Sequence, residues 1–294
     1  MNLILSAVIA LVAIALVASV VLYVCSKQFA VQEDPRLGLV AEALPQANCG
    51  GCGFPGCSGL AAALVKGADA GSIEGLNCPV GGQEVMTKVA GILGMAVEAS
   101  APKVAVVRCN GCIANRPRIA EYDGLKTCTA VNSTGSGETA CGFGCLGCGD
   151  CEKACSFGAI KIDPELGLPV VDESLCTSCG ACVKACPRNI IEIRPQGRII
   201  KEQPHRVYVS CVNKDKGPIA NKACQVSCIA CGKCQKVCKF EAITVEGNLA
   251  YIDPEKCKAC GLCVRECPKN AIHATWTLPA LKPKTEENNG NTNV

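Results

Sequence analysis

The sequence predicts an α+β protein in which several small modules follow one long apolar helix. Three observations support this class: a long apolar run at residues 3–24, four cysteine runs of equal spacing, and short β-branched segments separated by turn residues. Of the 294 residues, 27 are cysteine and only 3% are aromatic, so no single large core is required. Small modules with few large side chains need stabilisation from bound ligands, and the cysteines are the candidates.

The four cysteine runs share the spacing C-x2-C-x2-C-x3-C. With this spacing three thiolates bind one [4Fe-4S] cluster while the fourth binds a neighbouring cluster. Structural zinc usually takes two separated C-x2-C pairs, and disulfides among such close thiols would compete for many pairings. We therefore expect two ferredoxin-like domains with two [4Fe-4S] clusters each, in a reducing compartment. The runs are Cys145, Cys148, Cys151 and Cys155; Cys176, Cys179, Cys182 and Cys186; Cys228, Cys231, Cys234 and Cys238; and Cys257, Cys260, Cys263 and Cys267.

The same spacing predicts crossed ligation within each domain. The first three cysteines of one run share a cluster with the last cysteine of the partner run. The expected ligand sets are Cys145, Cys148, Cys151 and Cys186; Cys176, Cys179, Cys182 and Cys155; Cys228, Cys231, Cys234 and Cys267; and Cys257, Cys260, Cys263 and Cys238.

The apolar run at residues 3–24 predicts a transmembrane helix. As a helix it would be roughly 33 Å long, enough to span the hydrocarbon core of a bilayer. A cleaved signal peptide is the alternative, but no Lys or Arg precedes the run and no small-x-small site closes it. The first basic residues, Lys27 and Arg36, follow the helix, so the positive-inside rule puts the bulk of the chain in the cytoplasm. We expect a single-pass protein of the bacterial inner membrane with its cysteine-rich domains on the cytoplasmic side.

A separate four-cysteine domain is predicted after the helix. Its spacing, C-x2-C-x4-C followed by a distant Cys-Pro, is typical of a single [4Fe-4S] cluster, with zinc as the alternative. Ser58 is expected to cap a short helix at 59–66, and a longer amphipathic helix is expected at 83–99. The expected ligands are Cys49, Cys52, Cys57 and Cys78.

The segment between this domain and the first ferredoxin-like domain is the least regular part of the chain. We predict a sixth cluster here, held by Cys109, Cys128 and Cys141 with Cys112 as the least certain ligand. The same spacing occurs later in the chain: Cys224 precedes Cys228 by four residues, as Cys141 precedes Cys145. This repeat suggests an alternative ligand set of Cys128, Cys141, Cys211 and Cys224. A zinc site and free thiols are the other possibilities, so the expected total is five to six [4Fe-4S] clusters.

Short strands are predicted around the cysteine runs. A strand at 104–107 should lead into Cys109. Hairpins are expected at 159–162 with 168–171, at 242–245 with 249–252, and at 190–193 with 198–201. The polar tail at 278–294 is expected to be disordered.

These predictions divide the chain into seven segments. The division is a transmembrane anchor at 1–26, a four-cysteine [4Fe-4S] domain at 27–92, an irregular segment at 93–135, a first 2[4Fe-4S] ferredoxin domain at 136–200, a connector at 201–218, a second 2[4Fe-4S] ferredoxin domain at 219–277, and a disordered tail at 278–294.

Charge and glycine patterns exclude two other functions. Six clusters with their thiolates would change the formal net charge from +3 to about −9, so the loaded chain is acidic and unsuited to nucleic acid. The Gly-rich segment at 133–137 does not join a strand to a helix in a βαβ unit, so it is not a dinucleotide site. We expect no catalytic residue and no organic active site.

The order of these parts resembles the B subunit of the Rnf ion-translocating electron-transport complex, in its long form with two ferredoxin doublets. The resemblance covers residues 1 to about 277 and rests on the apolar helix, the four-cysteine domain and the tandem runs in that order. Ser156 and Lys239 replace the proline usual after the fourth cysteine, a change in the turn that leaves the ligand in place.

The resemblance implies a membrane complex that passes electrons between reduced ferredoxin and NAD while moving sodium ions or protons. This chain would be its iron–sulfur electron-relay subunit and would receive electrons from soluble ferredoxin. Other membrane subunits would supply the remaining sites of the translocase. A membrane-anchored polyferredoxin serving another oxidoreductase, such as a hydrogenase, is the alternative, and a zinc-rich scaffold is an alternative of a different class.

Overall fold

The computed structural model describes residues 2–28, 34–73, 75–95, 101–135, 137–200 and 203–278. These residues contain ten helices and ten strands, most of them short. The helices are α1 (Asn2–Gln28), α2 (Pro35–Ala43), α3 (Cys57–Asp69), α4 (Gly82–Leu93), α5 (Cys128–Thr134), α6 (Asp150–Lys153), α7 (Ala181–Ala185), α8 (Gly217–Ala223), α9 (Lys233–Lys236) and α10 (Leu262–Glu266). The strands are β1 (Lys103–Val107), β2 (Ile160–Asp163), β3 (Leu168–Val171), β4 (Ile191–Pro195), β5 (Arg198–Ile200), β6 (Gln203–His205), β7 (Val207–Val209), β8 (Ile243–Glu246), β9 (Leu249–Ile252) and β10 (Ile272–Ala274).

Helix α1 is the predicted apolar N-terminal helix. Its segment Leu5–Gln28 has 24 residues and a mean hydropathy of 3.0. By length and composition it could cross a membrane, and no other helix in the described part of the chain meets that test. Its apolar side chains face outward, with Leu11 67% exposed, and such a surface suits a lipid environment.

Helices α2, α3 and α4 form a small domain after α1. Asp34 caps α2, because its carboxylate accepts the backbone N–H of Arg36 at 2.8 Å, and Pro35 takes the first helical position. The apolar faces of the three helices meet in a core that excludes water. The fully buried members of this core include Val40, Leu60, Ala61, Leu64 and Val89.

Two helix boundaries in this domain differ from the prediction. α3 begins at Cys57, so Ser58 lies inside the helix and does not cap it; the Cys57 backbone N–H instead donates to Asn48 Oδ1 at 2.8 Å. α4 ends at Leu93 because Gly94 adopts a left-handed conformation with φ 68°. The predicted extension of α4 to residue 99 runs partly outside the described residues.

Each pair of cysteine runs encloses a β-hairpin, as predicted. β2 pairs antiparallel with β3, and β8 pairs antiparallel with β9. Ile160 on β2 and Ile252 on β9 are buried in cores that also contain cysteines. The hairpins therefore form an apolar floor under the cysteine runs.

The third predicted hairpin, between 190–193 and 198–201, is wrong. β4 pairs with β1, in a register from Lys103↔Pro195 to Val107↔Ile191, and β5 pairs with β6. The reason is burial: three successive residues of β1, at 104–106, are buried, so β1 must be covered on both faces. All three residues of β5 are exposed, so β5 could not have covered a core.

Strands from outside the two predicted ferredoxin domains complete both of these domains. β1 pairs with β4, and β7 from the predicted connector pairs with β10. We therefore call residues 101–200 the first unit and residues 203–278 the second unit. The finer division into seven segments stays a prediction.

Buried polar side chains join the two units. Arg194 on β4 is 1% exposed, and its Nη2 donates to the backbone carbonyl of Ile252 on β9 at 2.9 Å. The Tyr251 hydroxyl donates to Glu192 Oε1 at 2.8 Å, and the Arg194 guanidinium lies 5.0 Å from the centre of the Tyr251 ring. The units therefore share a polar interface in which a charged side chain is fully enclosed.

Candidate iron–sulfur sites

Five cavities in the described structure are each lined by four cysteines. Their volumes range from about 290 to about 370 Å³. All 27 cysteines lie in described residues, and all are free thiols. Each cavity therefore offers four soft sulfur donors, the donor type that iron–sulfur clusters use.

In each of the four regular runs, the residues directly before and after the second cysteine adopt a left-handed backbone conformation. The following residue is glycine, for example Gly232 at φ 71° and Gly261 at φ 77°. The preceding residue also has a positive φ and is alanine in two runs, Ala230 and Ala259, both at φ 52°. A left-handed alanine costs roughly 1–2 kcal/mol, so the turn is held by its surroundings. The two turns wrap the run around its cavity.

The two runs of the second unit exchange their last cysteines. One cavity is lined by Cys228, Cys231, Cys234 and Cys267. The other cavity is lined by Cys257, Cys260, Cys263 and Cys238. These are the groupings that crossed ligation requires, although binding of a cluster to them stays a prediction. We call them the Cys228 site and the Cys257 site.

The first unit follows the same plan with one difference. A cavity is lined by Cys145, Cys151 and Cys186, but its fourth cysteine is Cys128 rather than Cys148. The Cys148 thiol points to the Leu146 carbonyl, 3.6 Å away. Burial and the adjacent Cys128 together raise the pKa of Cys148 to about 11, so the two thiols are neighbours. We call this cavity the Cys145 site.

The second ligand set of the first unit is also assembled. Burial, together with the nearby thiols, raises the pKa of Cys182 to about 11. The contributing thiols are those of Cys176, Cys179 and Cys155, so they surround Cys182. The backbone N–H of Ala105 on β1 points to Cys176 Sγ at 3.5 Å. The run thus lies directly against the β1–β4 sheet. We call this set the Cys176 site.

The four-cysteine domain forms its own cavity from Cys49, Cys52, Cys57 and Cys78. Two backbone N–H groups point at these sulfurs: Gly51 N–H at 3.5 Å from Cys49 Sγ and Gly81 N–H at 3.3 Å from Cys78 Sγ. Such donors stabilise the negative charge of thiolates. We call this cavity the Cys49 site.

The remaining cavity lies between the two units and has a lining that the sequence did not predict. Its four cysteines are Cys109, Cys141, Cys211 and Cys224. Neither predicted set for a sixth cluster has this membership, because Cys128 lies at the Cys145 site and Cys112 Sγ instead accepts a hydrogen bond from Asn115 Nδ2 at 3.1 Å. We call it the junction site. The signal in the sequence was that Cys109, like Cys211, closely follows a short β-strand.

Burial controls the protonation of these thiols. Burial and the nearby Cys109 together raise the pKa of Cys145 to about 12, and burial raises the pKa of Cys211 to about 12. Buried thiols with such pKa values are protonated at neutral pH unless a cation stabilises the thiolate. Iron supplies that positive charge, so metal binding and deprotonation are coupled at these sites.

The described residues contain no group of three or more His, Cys, Asp or Glu side chains arranged to hold a single metal ion. The four thiols of each cavity line a common space instead. A [4Fe-4S] cluster binds each thiolate through a different iron atom, so its ligands spread over the faces of a larger body. The donor type and the grouping in fours both fit such a cluster.

Repeated four-cysteine cavities on ferredoxin-like hairpins define an iron–sulfur electron-transfer protein. Comparison with protein families supports this class. A 4Fe-4S dicluster domain family matches residues 144–190, and a second 4Fe-4S dicluster domain family matches 175–241. A 4Fe-4S binding domain family matches 250–273, and an Fe-S cluster family matches 44–71.

Curated relatives extend over most of the chain. The B subunit of the Na⁺-translocating ferredoxin:NAD⁺ oxidoreductase complex of Acetobacterium woodii is 46% identical, over 82% of this chain and 69% of the relative. The B subunit of the ion-translocating oxidoreductase complex of Methanosarcina acetivorans is 42% identical, over 81% and 86%. The B subunit of the proton-translocating ferredoxin:NAD⁺ oxidoreductase complex of Clostridium ljungdahlii is 39% identical, over 87% of each. The chain belongs to the family of B subunits of ion-translocating oxidoreductase (Rnf) complexes.

Proposed function

We propose that this chain is the iron–sulfur electron-relay subunit of a membrane complex that couples electron transfer between ferredoxin and NAD to the translocation of Na⁺ or H⁺. The proposal combines its family with the described cavities. The observation that carries it is the assembly of cysteines into four-thiol cavities in every folded domain after α1. A protein that used metal sites only to stabilise its fold would not require so many equivalent sites.

We propose that twenty cysteines hold five [4Fe-4S] clusters. Four clusters follow the crossed pattern of the two units, with Cys148 rather than Cys128 as the fourth ligand of the Cys145 site, because the C-x2-C-x2-C spacing matches the other three runs. The fifth uses the Cys49 site. When bound, the clusters supply reversible one-electron transfer.

The chain's own residues prepare the sites for this chemistry. The cysteine thiolates hold the iron, and backbone N–H groups such as that of Ala271, 3.3 Å from Cys267 Sγ, offset the negative charge on sulfur. Apolar side chains such as Ile160 and Ile243 close the floor of the sites to water. These features set the environment of each cluster, and no side chain has to move a proton.

The membrane and the partners follow from the same proposal. α1 would anchor the chain as a single-pass helix in the bacterial inner membrane. Both units would lie on the cytoplasmic side, because the basic residue Lys27 follows the apolar run. Soluble ferredoxin would donate or accept electrons on that side. Other membrane subunits would provide the NAD site and the ion path.

Deletion and complementation of the gene test the proposal. Inverted membrane vesicles from the deletion strain should lose ferredoxin-dependent NAD reduction and the ion uptake linked to it, and the wild-type gene should restore both. A variant with Cys231→Ala and Cys234→Ala, which breaks the Cys228 site, should restore neither. Full ferredoxin-dependent NAD reduction without this chain contradicts the proposal. Copurification with hydrogenase subunits instead would show a polyferredoxin of another oxidoreductase.

A further inference from the structure

We infer that Cys109, Cys141, Cys211 and Cys224 hold a further [4Fe-4S] cluster at the junction site, where it links the cluster sites of the first unit to those of the second. The four thiols line one cavity of about 300 Å³. The matched family models leave Cys109 and Cys141 uncovered. The inference extends the proposed relay and rests on it for the role of the cluster.

The two units contribute to the junction site in the same way. In each unit one cysteine stands two residues after a strand: Cys109 after β1, and Cys211 after β7. The two segments are joined by a hydrogen bond from the Asn110 N–H to the Ser210 carbonyl at 3.1 Å. The second cysteine of each unit, Cys141 or Cys224, stands four residues before a regular run. The site therefore has two equivalent halves that meet only when both units are folded together.

Two buried polar residues, Asn213 and Ser227, line the junction site. Asn213 is 1% exposed, and its Nδ2 lies 3.5 Å from Cys141 Sγ. Ser227 is 1% exposed, and its hydroxyl has no hydrogen-bond partner within the described residues. A buried hydroxyl without a partner is unfavourable, so its place in this wall points to a ligand that accepts hydrogen bonds. The sulfurs of a cluster accept such bonds.

The junction site also carries compensating positive charge. Arg116 is 7% exposed and lines the cavity, and its Nε has no hydrogen-bond partner among the described groups. A buried arginine needs negative charge nearby. A cluster with four thiolates is negatively charged, so it would satisfy both the arginine and the thiols.

The junction site lies between a cluster site of the first unit and a cluster site of the second unit. Cys141 is four residues from Cys145, and Cys224 is four residues from Cys228, so the junction site adjoins one site of each unit. Arg116 lines the junction site and also donates through Nη1 to the backbone carbonyl of Cys145. A cluster here would therefore stand between a cluster site of the first unit and one of the second.

Iron and acid-labile sulfide per chain test the inference on the full-length protein purified anaerobically. Six clusters predict about 24 iron atoms per chain, and five predict about 20. The variant with Cys211→Ala and Cys224→Ala should lose about four iron atoms and keep the low-temperature EPR signals of the other sites. Cys112→Ala is the matched control, because Cys112 lies close by but does not line the cavity, and it should keep all of the iron.

Three results would overturn the inference: about 20 iron atoms in the wild type, unchanged iron in the double variant, or one zinc ion per chain replacing the sixth cluster. If the double variant does not fold, Cys109→Ser is used, since its hydroxyl can replace the thiolate. If the wild type binds about 24 iron atoms, the Cys109→Ser variant should show a change in one EPR signal. An EPR spectrum identical to that of the wild type refutes the assignment. A failure of the proposed relay function would give a different result. The wild type would then bind six clusters but would not accept electrons from ferredoxin.

Discussion

Gly51 lies directly against Cys179: a Cβ placed on Gly51 would come within 2.6 Å of the Cys179 carbonyl oxygen. Gly51 belongs to the loop of the Cys49 site, and Cys179 belongs to the Cys176 site. Only a residue without a side chain permits this approach. The contact brings the four-cysteine domain up to the first unit, so their cluster sites are neighbours.

Gly51→Ala should therefore weaken the contact between the two domains. Inserting a methyl group into a packed interface costs about 1–3 kcal/mol, so the free energy of unfolding should fall by that amount in anaerobic denaturation. Gly38→Ala is the matched control, because Gly38 lies in α2 with open space around it and alanine favours the helix. Equal stability of the two variants would show that the contact does not exist.

Arg188→Met should loosen the loop that carries Cys141. The Arg188 Nη1 donates to the carbonyls of Gly144 at 2.7 Å and Cys141 at 3.2 Å. Because methionine leaves these acceptors unpaired, we expect a loss of about 1–3 kcal/mol in the free energy of unfolding. Arg198→Met, at an exposed position on β5, should change stability by less than about 0.5 kcal/mol. A smaller loss for Arg188→Met than for Arg198→Met contradicts the role given to Arg188.

The identity of the fourth ligand at the Cys145 site can be measured by comparing two single variants. Crossed ligation predicts that Cys148→Ala loses about four iron atoms per chain, whereas Cys128→Ala keeps them. Iron analysis on protein purified anaerobically distinguishes the two. The reverse result would assign the ligand to Cys128, which lines the cavity in the structure.

Removal of α1 should separate the anchor from the cluster sites. A chain beginning at Gln28 lacks the apolar helix but retains every cysteine beyond Cys25. We expect it to be soluble after anaerobic cluster reconstitution, with the low-temperature EPR signals of the full-length chain. Loss of all cluster signals on truncation would show that α1 takes part in the sites.

Local signals in the sequence predicted the local structure. The hairpins β2–β3 and β8–β9 were predicted to within one residue, because apolar alternation and turn residues act over a few positions. The pairing of β1 with β4 was missed, because Val107 and its partner Ile191 are far apart in sequence and no short pattern relates them. The junction site was predicted only in part: the alternative set that spans both units contains Cys141, Cys211 and Cys224 but has Cys128 in place of Cys109.

Anaerobic rapid mixing with reduced ferredoxin tests the central claim, that this chain is an electron relay, most directly. The purified, cluster-loaded chain is mixed with reduced ferredoxin, and the visible absorbance of both proteins is followed. We expect ferredoxin to be oxidised as the clusters of the chain are reduced, with one electron taken up per cluster of suitable potential. Clusters that dithionite reduces but reduced ferredoxin does not would contradict the account.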